Sequence, residues 1–192
     1  MKIVESSLPG CFEIMPDVTR DERGSFAKVF HRGNFAAAGL AGDFAECFQS
    51  VSRKGALRGL HFQRPPADHD KLVYCAAGEV FDAVVDLRCD SPAYGRHAAF
   101  RLDSKRCNAL YIPRGLAHGF QALSDEAVVV YLVTSVHSPA HDDGVRWDSA
   151  GIAWPISNPV VSARDAAFAP LKGFKSPFLV SAAGDRGGDV RG

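Results

Sequence analysis

Pro113-Arg114-Gly115-Leu116-Ala117-His118-Gly119-Phe120 is the stretch that decides the fold of this chain, and Leu57-Arg58-Gly59-Leu60-His61-Phe62-Gln63 is its counterpart upstream. Both blocks are short and mainly apolar, and each carries one histidine. Lys71 follows the upstream block, Leu57–Gln63, at the start of the next apolar run. The sequence therefore predicts that a titratable base and a cation lie on neighbouring strands, close to a second histidine.

The P-x-G-x-x-H spacing of Pro113–His118 resembles that of a cupin β-barrel. In a metal-binding cupin, the residue seven positions before the glycine at Gly78 would be a glutamate ligand, and here it is Lys71. An ammonium group has three donors and no lone pair, so it cannot ligate a cation. The chain thus resembles a cupin whose metal charge is replaced by a fixed side-chain charge.

Length and composition describe an ordinary single domain. The 192 residues include 22 basic and 22 acidic side chains, a balance that predicts binding to neither nucleic acid nor membranes. Five cysteines without a C-x-x-C pair favour reduced thiols. The N-terminus lacks an apolar leader, and the longest apolar run, Ala127–Val133, is too short to span a bilayer. We therefore expect a soluble, cytoplasmic protein.

Strand signals dominate the middle of the chain and predict an all-β fold of the cupin barrel or jelly-roll type. The expected strands are Ser25–His31, Ala56–Arg64, Lys71–Ala76, Glu79–Arg88, His97–Leu102, Ala109–Pro113 and Glu126–His137. Short helices are expected at Arg32–Gly39 and, capped by Ser162, at Ser162–Ala167; the few helices lie mainly near the C-terminus. We expect one domain over residues 1–175 and a flexible tail over 176–192, of which Gly184–Gly192 has the most tail-like composition.

Strand parity groups the residues that carry chemistry. Asp82 and Asp86 fall on one face of an apolar strand, where ionised carboxylates need a partner such as Lys71 or Arg58. Arg58 and His61 have opposite parity, so both face inward only if the strand bulges near Gly59. Asp86 and Arg88 are candidates for an internal ion pair. His69, His97 and His141 are expected on the surface.

The chain resembles the dTDP-4-dehydrorhamnose 3,5-epimerase family from about Arg20 to Leu171. The motifs that carry the resemblance are Asp21–Phe26, Leu57–Gln63, Lys71–Val73, Gly78–Arg88, Ser91–Gly95, Ile112–Phe120, Tyr131, Trp147-Asp148, Trp154-Pro155 and Ser162–Asp165. They occur in the family's order and at nearly the family's spacing.

The resemblance implies acid–base chemistry with neither a metal nor a nucleotide redox cofactor. A 4-keto group acidifies the C–H bonds at C3 and C5 of a nucleotide-linked hexose. His61 corresponds to the proton acceptor and Asp165 to its carboxylate partner. Lys71 corresponds to the residue that faces the C4 oxygen, and Tyr131 to the proton donor on the opposite face. Asp82 is expected to orient Lys71 or His61.

The same resemblance implies a substrate-binding set and a homodimer. The positions are Arg23, Lys28, Arg58, Gln63, His118, His137, Asp142 and Arg164; Arg23, Arg58 and His118 are expected at the diphosphate or the sugar, since guanidinium groups suit phosphate oxygens. The ligand is a nucleotide-diphosphate sugar. The family forms dimers by exchanging N-terminal strands, and Lys2–Ile14 contains a strand for that role.

The departures from the family pattern cluster where the family binds the nucleotide. His137 stands where an aromatic residue usually stacks on thymine, and Asp142 replaces a glutamate. Glu46-Cys47-Phe48 stands in place of Gln-x-Asn, Lys28 in place of glutamate, and Arg164 in place of lysine. These changes predict a nucleotide other than dTDP, with CDP or GDP as candidates.

Two other functions compete with the epimerase. One is a metal-dependent cupin isomerase or dioxygenase that binds its metal through His61, His118 and a third ligand. The other is a sugar-binding cupin without turnover. Lys71 at the position of a metal ligand argues against the metal-dependent cupin. The joint presence of His61, Tyr131 and Asp165 argues against a sugar-binding cupin without turnover.

Overall fold

The computed structural model describes residues 1–180, which fold mainly into antiparallel strands. In chain order the elements are β1 (Lys2–Glu5), β2 (Phe12–Met15), β3 (Val18–Asp21), β4 (Gly24–Ala27), α1 (Arg32–Ala37), β5 (Glu46–Arg53), β6 (Ala56–Gln63), β7 (Lys71–Ala77), β8 (Glu79–Asp86), β9 (His97–Asp103), β10 (Ala109–Ile112), β11 (Leu116–Ala122), β12 (Glu126–Val133), β13 (Asp142–Gly144), β14 (Val160–Val161) and α2 (Ala163–Ala166). Within this range, no helix is long and apolar enough to cross a membrane.

Two sheets form the body of the molecule. The first has the order β1-β2-β10-β7-β12-β5, and the second has the order β13-β6-β11-β8-β9, with β14 pairing parallel to β6. Strands β3 and β4 form a separate two-stranded hairpin. The predicted all-β, antiparallel architecture is thus confirmed; of the two short helices within residues 1–180, α1 lies in the N-terminal third rather than near the C-terminus.

A continuous apolar core lies between the sheets. Val73 and Val129 of the first sheet pack in one cluster with Val84 and Phe120 of the second, and all four side chains are buried. The outer face of the second sheet is covered as well, by a second cluster that contains Phe178. Because β11 is buried on both faces, its residues show no polar alternation, which explains why only its histidine motif was noticed in the sequence.

Several predicted boundaries were wrong. Strand β4 ends at Ala27, and the chain runs without regular structure to His31, whose side chain caps α1. Strand β12 ends at Val133, where the Thr134 hydroxyl accepts a hydrogen bond from the Asp70 backbone N–H. Strand β5, with its largely exposed residues, was missed altogether.

The predicted bulge at Gly59 is confirmed. The register between β6 and β11 shifts between His118 and Phe120, opposite Arg58 and His61. A Cβ on Gly59 would lie 2.5 Å from the Gly119 Cα atom, and Gly59 has a φ of +133°. Only glycine fits this approach, and the shift turns Arg58 and His61 towards the same cavity.

The first residues of the predicted tail belong to the domain. Phe178 is buried and packs edge-on against Phe62, with ring centroids 5.3 Å apart. The Cys89 backbone N–H donates to the Phe178 carbonyl. Phe178, in the expected tail over 176–192, thus packs against the domain, and residues 181–192, including Gly184–Gly192, lie outside the described range.

A buried ion pair joins the end of β8 to the N-terminal loop. The Asp86 carboxylate accepts hydrogen bonds from the Arg88 guanidinium at 2.9 and 2.7 Å and from the Ser91 hydroxyl at 2.6 Å. Arg88 also donates to the Pro9 carbonyl at 2.8 Å. The internal pair predicted from the sequence is confirmed, and every charge in it has a hydrogen-bonded partner.

Replacing Asp86 with alanine should lower the free energy of unfolding by about 3–5 kcal/mol, because Arg88 would keep a buried and uncompensated charge. Urea unfolding followed by circular dichroism measures this loss. The control is Glu79→Ala, which removes an exposed pair with Arg101 and should change stability little. Equal effects of the two substitutions would contradict the assignment.

Candidate active site

A cavity of about 270 Å³ opens between the two sheets. Nine of the predicted site residues line it: Arg58, His61, Gln63, Lys71, His118, Tyr131, His137, Asp142 and Arg164. They come from β6, β7, β11, β12, β13 and α2 and from the segment after β12. The barrel thus brings together residues that lie far apart in sequence.

His61 and Asp165 form a hydrogen-bonded pair at one wall of the cavity. His61 Nε2 lies 2.9 Å from Asp165 Oδ1, and the Gly59 backbone N–H donates to Asp165 Oδ2 at 3.0 Å. The Ser162 side chain caps α2, as predicted, by accepting from the Asp165 backbone N–H. These bonds place the carboxylate against one edge of the imidazole, so that Nδ1 is the nitrogen left for a ligand.

The Asp165 carboxyl is held in its charged form. Burial alone would raise its pKa, but the hydrogen bond and charge of His61, together with the bond from Gly59, lower the pKa below its ordinary value. A charged acceptor fixes the proton of neutral His61 on Nε2 and stabilises the imidazolium. The pair is therefore arranged for a base whose free nitrogen is Nδ1.

Lys71 lies at the start of β7 and is half-buried in the cavity wall. Its Nζ atom donates to the His61 carbonyl at 3.2 Å. Burial lowers the pKa of the ammonium from 10.5 to about 8, while the charges of Asp142 and Asp82 act in the opposite direction. At neutral pH, Lys71 is thus a partly buried cation in the cavity wall.

Tyr131 belongs to the sheet that faces His61. Its hydroxyl lies 3.4 Å from the Ser50 Oγ atom, and its ring stacks on Phe48 with centroids 4.9 Å apart. Burial raises the pKa of the phenol, against the opposing effect of the Ser50 hydrogen bond. Tyr131 therefore holds its proton at neutral pH, as a general acid must.

Asp82 does not contact the residues that it was expected to orient. Its Oδ2 atom lies 2.8 Å from His118 Nε2, and both side chains are buried. Within the described residues, Oδ1 of Asp82 has no hydrogen-bond partner. The expected contact with Lys71 or His61 was wrong; Asp82 acts on Lys71 through its charge alone.

Gln63 holds two segments at the mouth of the cavity rather than leaving its amide free. Its Nε2 group donates to the Ala67 carbonyl at 2.9 Å and lies 3.1 Å from His69 Nδ1, and its Oε1 atom accepts from the Ser138 backbone N–H at 2.6 Å. With these bonds, the Gln63 side chain links the segment before β7 to the segment after β12.

His69 was expected on the surface, and that prediction was wrong. It lines the cavity, and burial, followed by the charges of Lys71, Arg114 and His137, lowers its pKa from 6.5 to about 3. His97 is exposed, as predicted, whereas His141 is half-buried with Nδ1 2.7 Å from the Ser138 hydroxyl. Sequence reasoning also missed Ser50, whose only signal would have been the unrecognised strand β5.

The comparisons with known proteins agree on one family. The family model described as dTDP-4-dehydrorhamnose 3,5-epimerase matches residues 5–173. This chain belongs to that family. It is a nucleotide-sugar epimerase.

Individual relatives match over most of their length. A dTDP-4-dehydrorhamnose 3,5-epimerase of Methanothermobacter thermautotrophicus is 40% identical over 176 residues, which cover 89% of this chain and 95% of the relative. A dTDP-4-dehydrorhamnose 3-epimerase of Streptomyces niveus is 40% identical over 86% of this chain and 81% of its own. The crystal structure of NovW, a 4-keto-6-deoxy sugar epimerase of Streptomyces spheroides, superposes with a TM-score of 0.88 at 39% identity, covering 90% and 88% of the two chains.

The rim of the epimerase cavity carries an ion pair. Arg164 Nη2 lies 2.8 Å from Asp142 Oδ2, and the guanidinium also lies over the Phe168 ring at 5.3 Å. The edge of His61 meets the same ring, with centroids 5.8 Å apart. Arg164 and Asp142, both predicted to bind the substrate, thus contact each other. The Phe168 ring contacts both Arg164 and the candidate base His61.

Arg23 and Lys28 do not line the cavity. Arg23 sits in the turn between β3 and β4 and pairs with Asp21 at 2.5 Å, and Lys28 directly follows β4. The hairpin carries the exposed Phe26, which is 67% accessible. The structure therefore separates these two predicted residues from the other members of the set.

The two histidines that a metal-dependent cupin would use as ligands are each paired with a carboxylate. His61 and His118 each lie against their own carboxylate, Asp165 and Asp82. In the part of the chain that the structure describes, no three histidine, cysteine or acidic side chains form a metal-ligand cluster. This arrangement of donors favours the epimerase over the metal-dependent alternative.

Lys71 should titrate far below an ordinary lysine. In a pH titration of the ¹³Cε signals of labelled lysines, one signal should change with a midpoint of about 8, because burial disfavours the ammonium. The variant Lys71→Met assigns the signal by removing it. The pKa assignment is contradicted if every lysine titrates near about 10.4.

Proposed function

We propose that this protein epimerises a nucleotide-linked 4-keto-6-deoxyhexose by general acid–base catalysis, with His61 as base, Lys71 as the enolate-stabilising cation and Tyr131 as acid. The observation that carries the proposal is the placement of His61 and Tyr131 on the two facing sheets, with the Lys71 ammonium in the wall of the same cavity. Inversion at carbon requires that the proton leaves one face of the sugar and arrives at the other.

In the first step, His61 Nδ1 takes a proton from the carbon next to the C4 ketone. The C–H electron pair forms a C=C bond, and the carbonyl π electrons move to the C4 oxygen. The imidazolium that results is stabilised by Asp165, whose Oδ1 atom lies against Nε2. A histidine base in such a position contributes roughly 10²–10⁴-fold to the rate.

Lys71 stabilises the negative charge that develops on the C4 oxygen. An ammonium in a buried cavity interacts more strongly with an oxyanion than it would in water, because the surrounding dielectric constant is lower. Its lowered pKa of about 8 still leaves it charged at neutral pH. The same residue that rules out a cupin metal ligand at this position thus supplies the positive charge.

In the second step, the Tyr131 phenol donates its proton to the same carbon from the opposite side. The enolate electrons return to re-form the C4 ketone, so that the configuration at the carbon is inverted. The phenolate then takes a proton from water, and His61 releases its proton to water. Arg58 and His118, which line the same cavity, are placed for the sugar and the diphosphate.

Solvent exchange tests this assignment of roles. In deuterated water, wild-type protein should introduce deuterium at C3, C5 or both and form inverted product, followed by proton NMR. His61→Asn should lower both by roughly 10²–10⁴-fold. Tyr131→Phe should lose inversion while the base retains exchange from its own face.

His97→Asn is the matched control, because His97 is an exposed histidine on β9 and should leave both rates unchanged. Wild-type binding without exchange would favour the sugar-binding protein without turnover. Loss of exchange and inversion together in Tyr131→Phe would contradict the assignment of Tyr131 as acid alone.

The nucleotide is set by the rim of the cavity. The relatives' names specify dTDP-sugars, whereas the residues at the base-binding positions here are His137 and Asp142. We infer that this rim, in which Asp142 is paired with Arg164, prefers CDP or GDP.

Calorimetric titration with dTDP, CDP and GDP checks the preference. CDP or GDP should bind more tightly than dTDP to the wild type. The double variant His137→Tyr/Asp142→Glu, which restores the family's usual residue types, should shift the preference to dTDP. Equal or tighter binding of dTDP by the wild type would contradict the nucleotide assignment and leave the acid–base chemistry untouched.

Arg23 and Lys28 complete the site in a homodimer. The β3–β4 hairpin pairs with neither sheet of its own protomer and exposes Phe26 at its surface. We infer that this hairpin, rather than β1 and β2 within Lys2–Ile14, reaches the partner's cavity, since β2 pairs with β10 of its own chain. Light scattering that gives a monomer would contradict this arrangement.

A further inference from the structure

Phe48 is an aromatic residue that lines the cavity and that has no role in the proposed acid–base steps. It lies on β5, directly opposite Tyr131 on β12 in the antiparallel register. The two rings stack nearly parallel, with centroids 4.9 Å apart and an interplanar angle of 16°. Phe48 is 48% exposed, so its ring covers the tyrosine from the open side of the cavity.

The Tyr131 ring is held on three sides. Phe48 covers one face, the Ser50 hydroxyl lies 3.4 Å from the phenol oxygen, and the His118 ring meets Tyr131 with centroids 6.1 Å apart at an angle of 70°. A cross-strand aromatic pair restricts the rotamers of both side chains. The phenol oxygen is thereby confined to one region of the cavity.

This confinement matters because the reaction offers two carbons to a single acid. C3 and C5 flank the C4 ketone on opposite sides, so one fixed phenol oxygen lies closer to one of them than to the other. Serving both carbons requires movement of the phenol or rotation of the sugar between the two steps. A change of about 1 Å in the placement of a reacting group alters rates by roughly 10²-fold.

We propose that Phe48 is a positioning residue that holds the Tyr131 phenol where it protonates one of the two carbons in preference to the other. The proposal rests on the proposed function, because it takes Tyr131 as the acid. Phe48 does not exchange protons; it acts through the stacked ring. The residue therefore determines regioselectivity rather than the chemistry itself.

Phe48 differs from the residue type that the family usually carries at this position. By resemblance, the family usually carries asparagine at position 48, and an asparagine side chain has no ring to stack on a tyrosine. The relatives reported above are named as a 3,5-epimerase and a 3-epimerase, so the number of reacting carbons differs between members of one family. A residue that restrains the acid is a physical means of producing that difference.

The test measures the ratio of inversion at C3 to inversion at C5, by proton NMR of the products, for wild type, Phe48→Leu, Phe48→Asn and Phe48→Tyr, because inversion requires the Tyr131 proton whereas exchange requires the base alone. The wild type should favour one carbon. The leucine and asparagine variants, which lack the stacked ring, should bring the ratio closer to one by about three- to tenfold, the rate equivalent of one aromatic pair. Phe48→Tyr keeps the ring and should keep the wild-type ratio.

The outcomes distinguish a positioning role of Phe48 from a purely structural role, and both of these from failure of the proposed epimerase chemistry. Equal inversion at both carbons in the wild type overturns the positioning role, as does an inversion ratio that stays at the wild-type value in both ring-less variants, even if their kcat or KM changes. Thermal unfolding of every variant confirms that it is folded. No exchange at either carbon in the wild type would instead refute the epimerase chemistry on which the proposal rests.

Discussion

The close approach of β6 to β11 at Gly59 and Gly119 is the constraint on which the site depends. Any side chain at Gly59 would meet the Gly119 backbone at 2.5 Å, and any at Gly119 would meet the Arg58 carbonyl at 2.7 Å. The two strands come this near only because both positions lack a Cβ. The resulting shift in register lets Arg58 and His61 face one cavity, and it leaves the Gly59 N–H free to donate to Asp165.

The protonation states of three side chains at the cavity depend on their burial and their hydrogen bonds. The carboxylate of Asp165 is stabilised by its hydrogen bonds, the ammonium of Lys71 loses hydration through burial, and the phenol of Tyr131 keeps its proton for the same reason. Burial thus lowers the pKa of Lys71 and raises that of Tyr131, whereas hydrogen bonds and the charge of His61 outweigh burial at Asp165. The proposed cation, Lys71, and the proposed acid, Tyr131, therefore both carry their protons at neutral pH.

The sequence predicted the fold class, most of the central strands and the membership of the cavity, because those rest on alternation, glycine placement and motif resemblance. It failed where pairing between strands decides the contact. Asp82 lies opposite Phe120 in the register of β8 and β11, so His118, two residues along on the same face, becomes its partner. No local pattern encodes that register. His69 was misplaced for a related reason: its burial depends on the bonds that Gln63 makes to distant segments.

The carboxylate partner of His61 comes from a short helix that lies 104 positions further along the chain. That helix follows β14, which adds to β6 by parallel pairing at Val160 and Val161. During synthesis, all the strands of the first sheet and most of the second precede this segment. A nascent chain can therefore form the strands of its two sheets before the proposed base has its carboxylate partner, so that completion of the proposed site depends on a late segment of the chain rather than on the closure of the sheets.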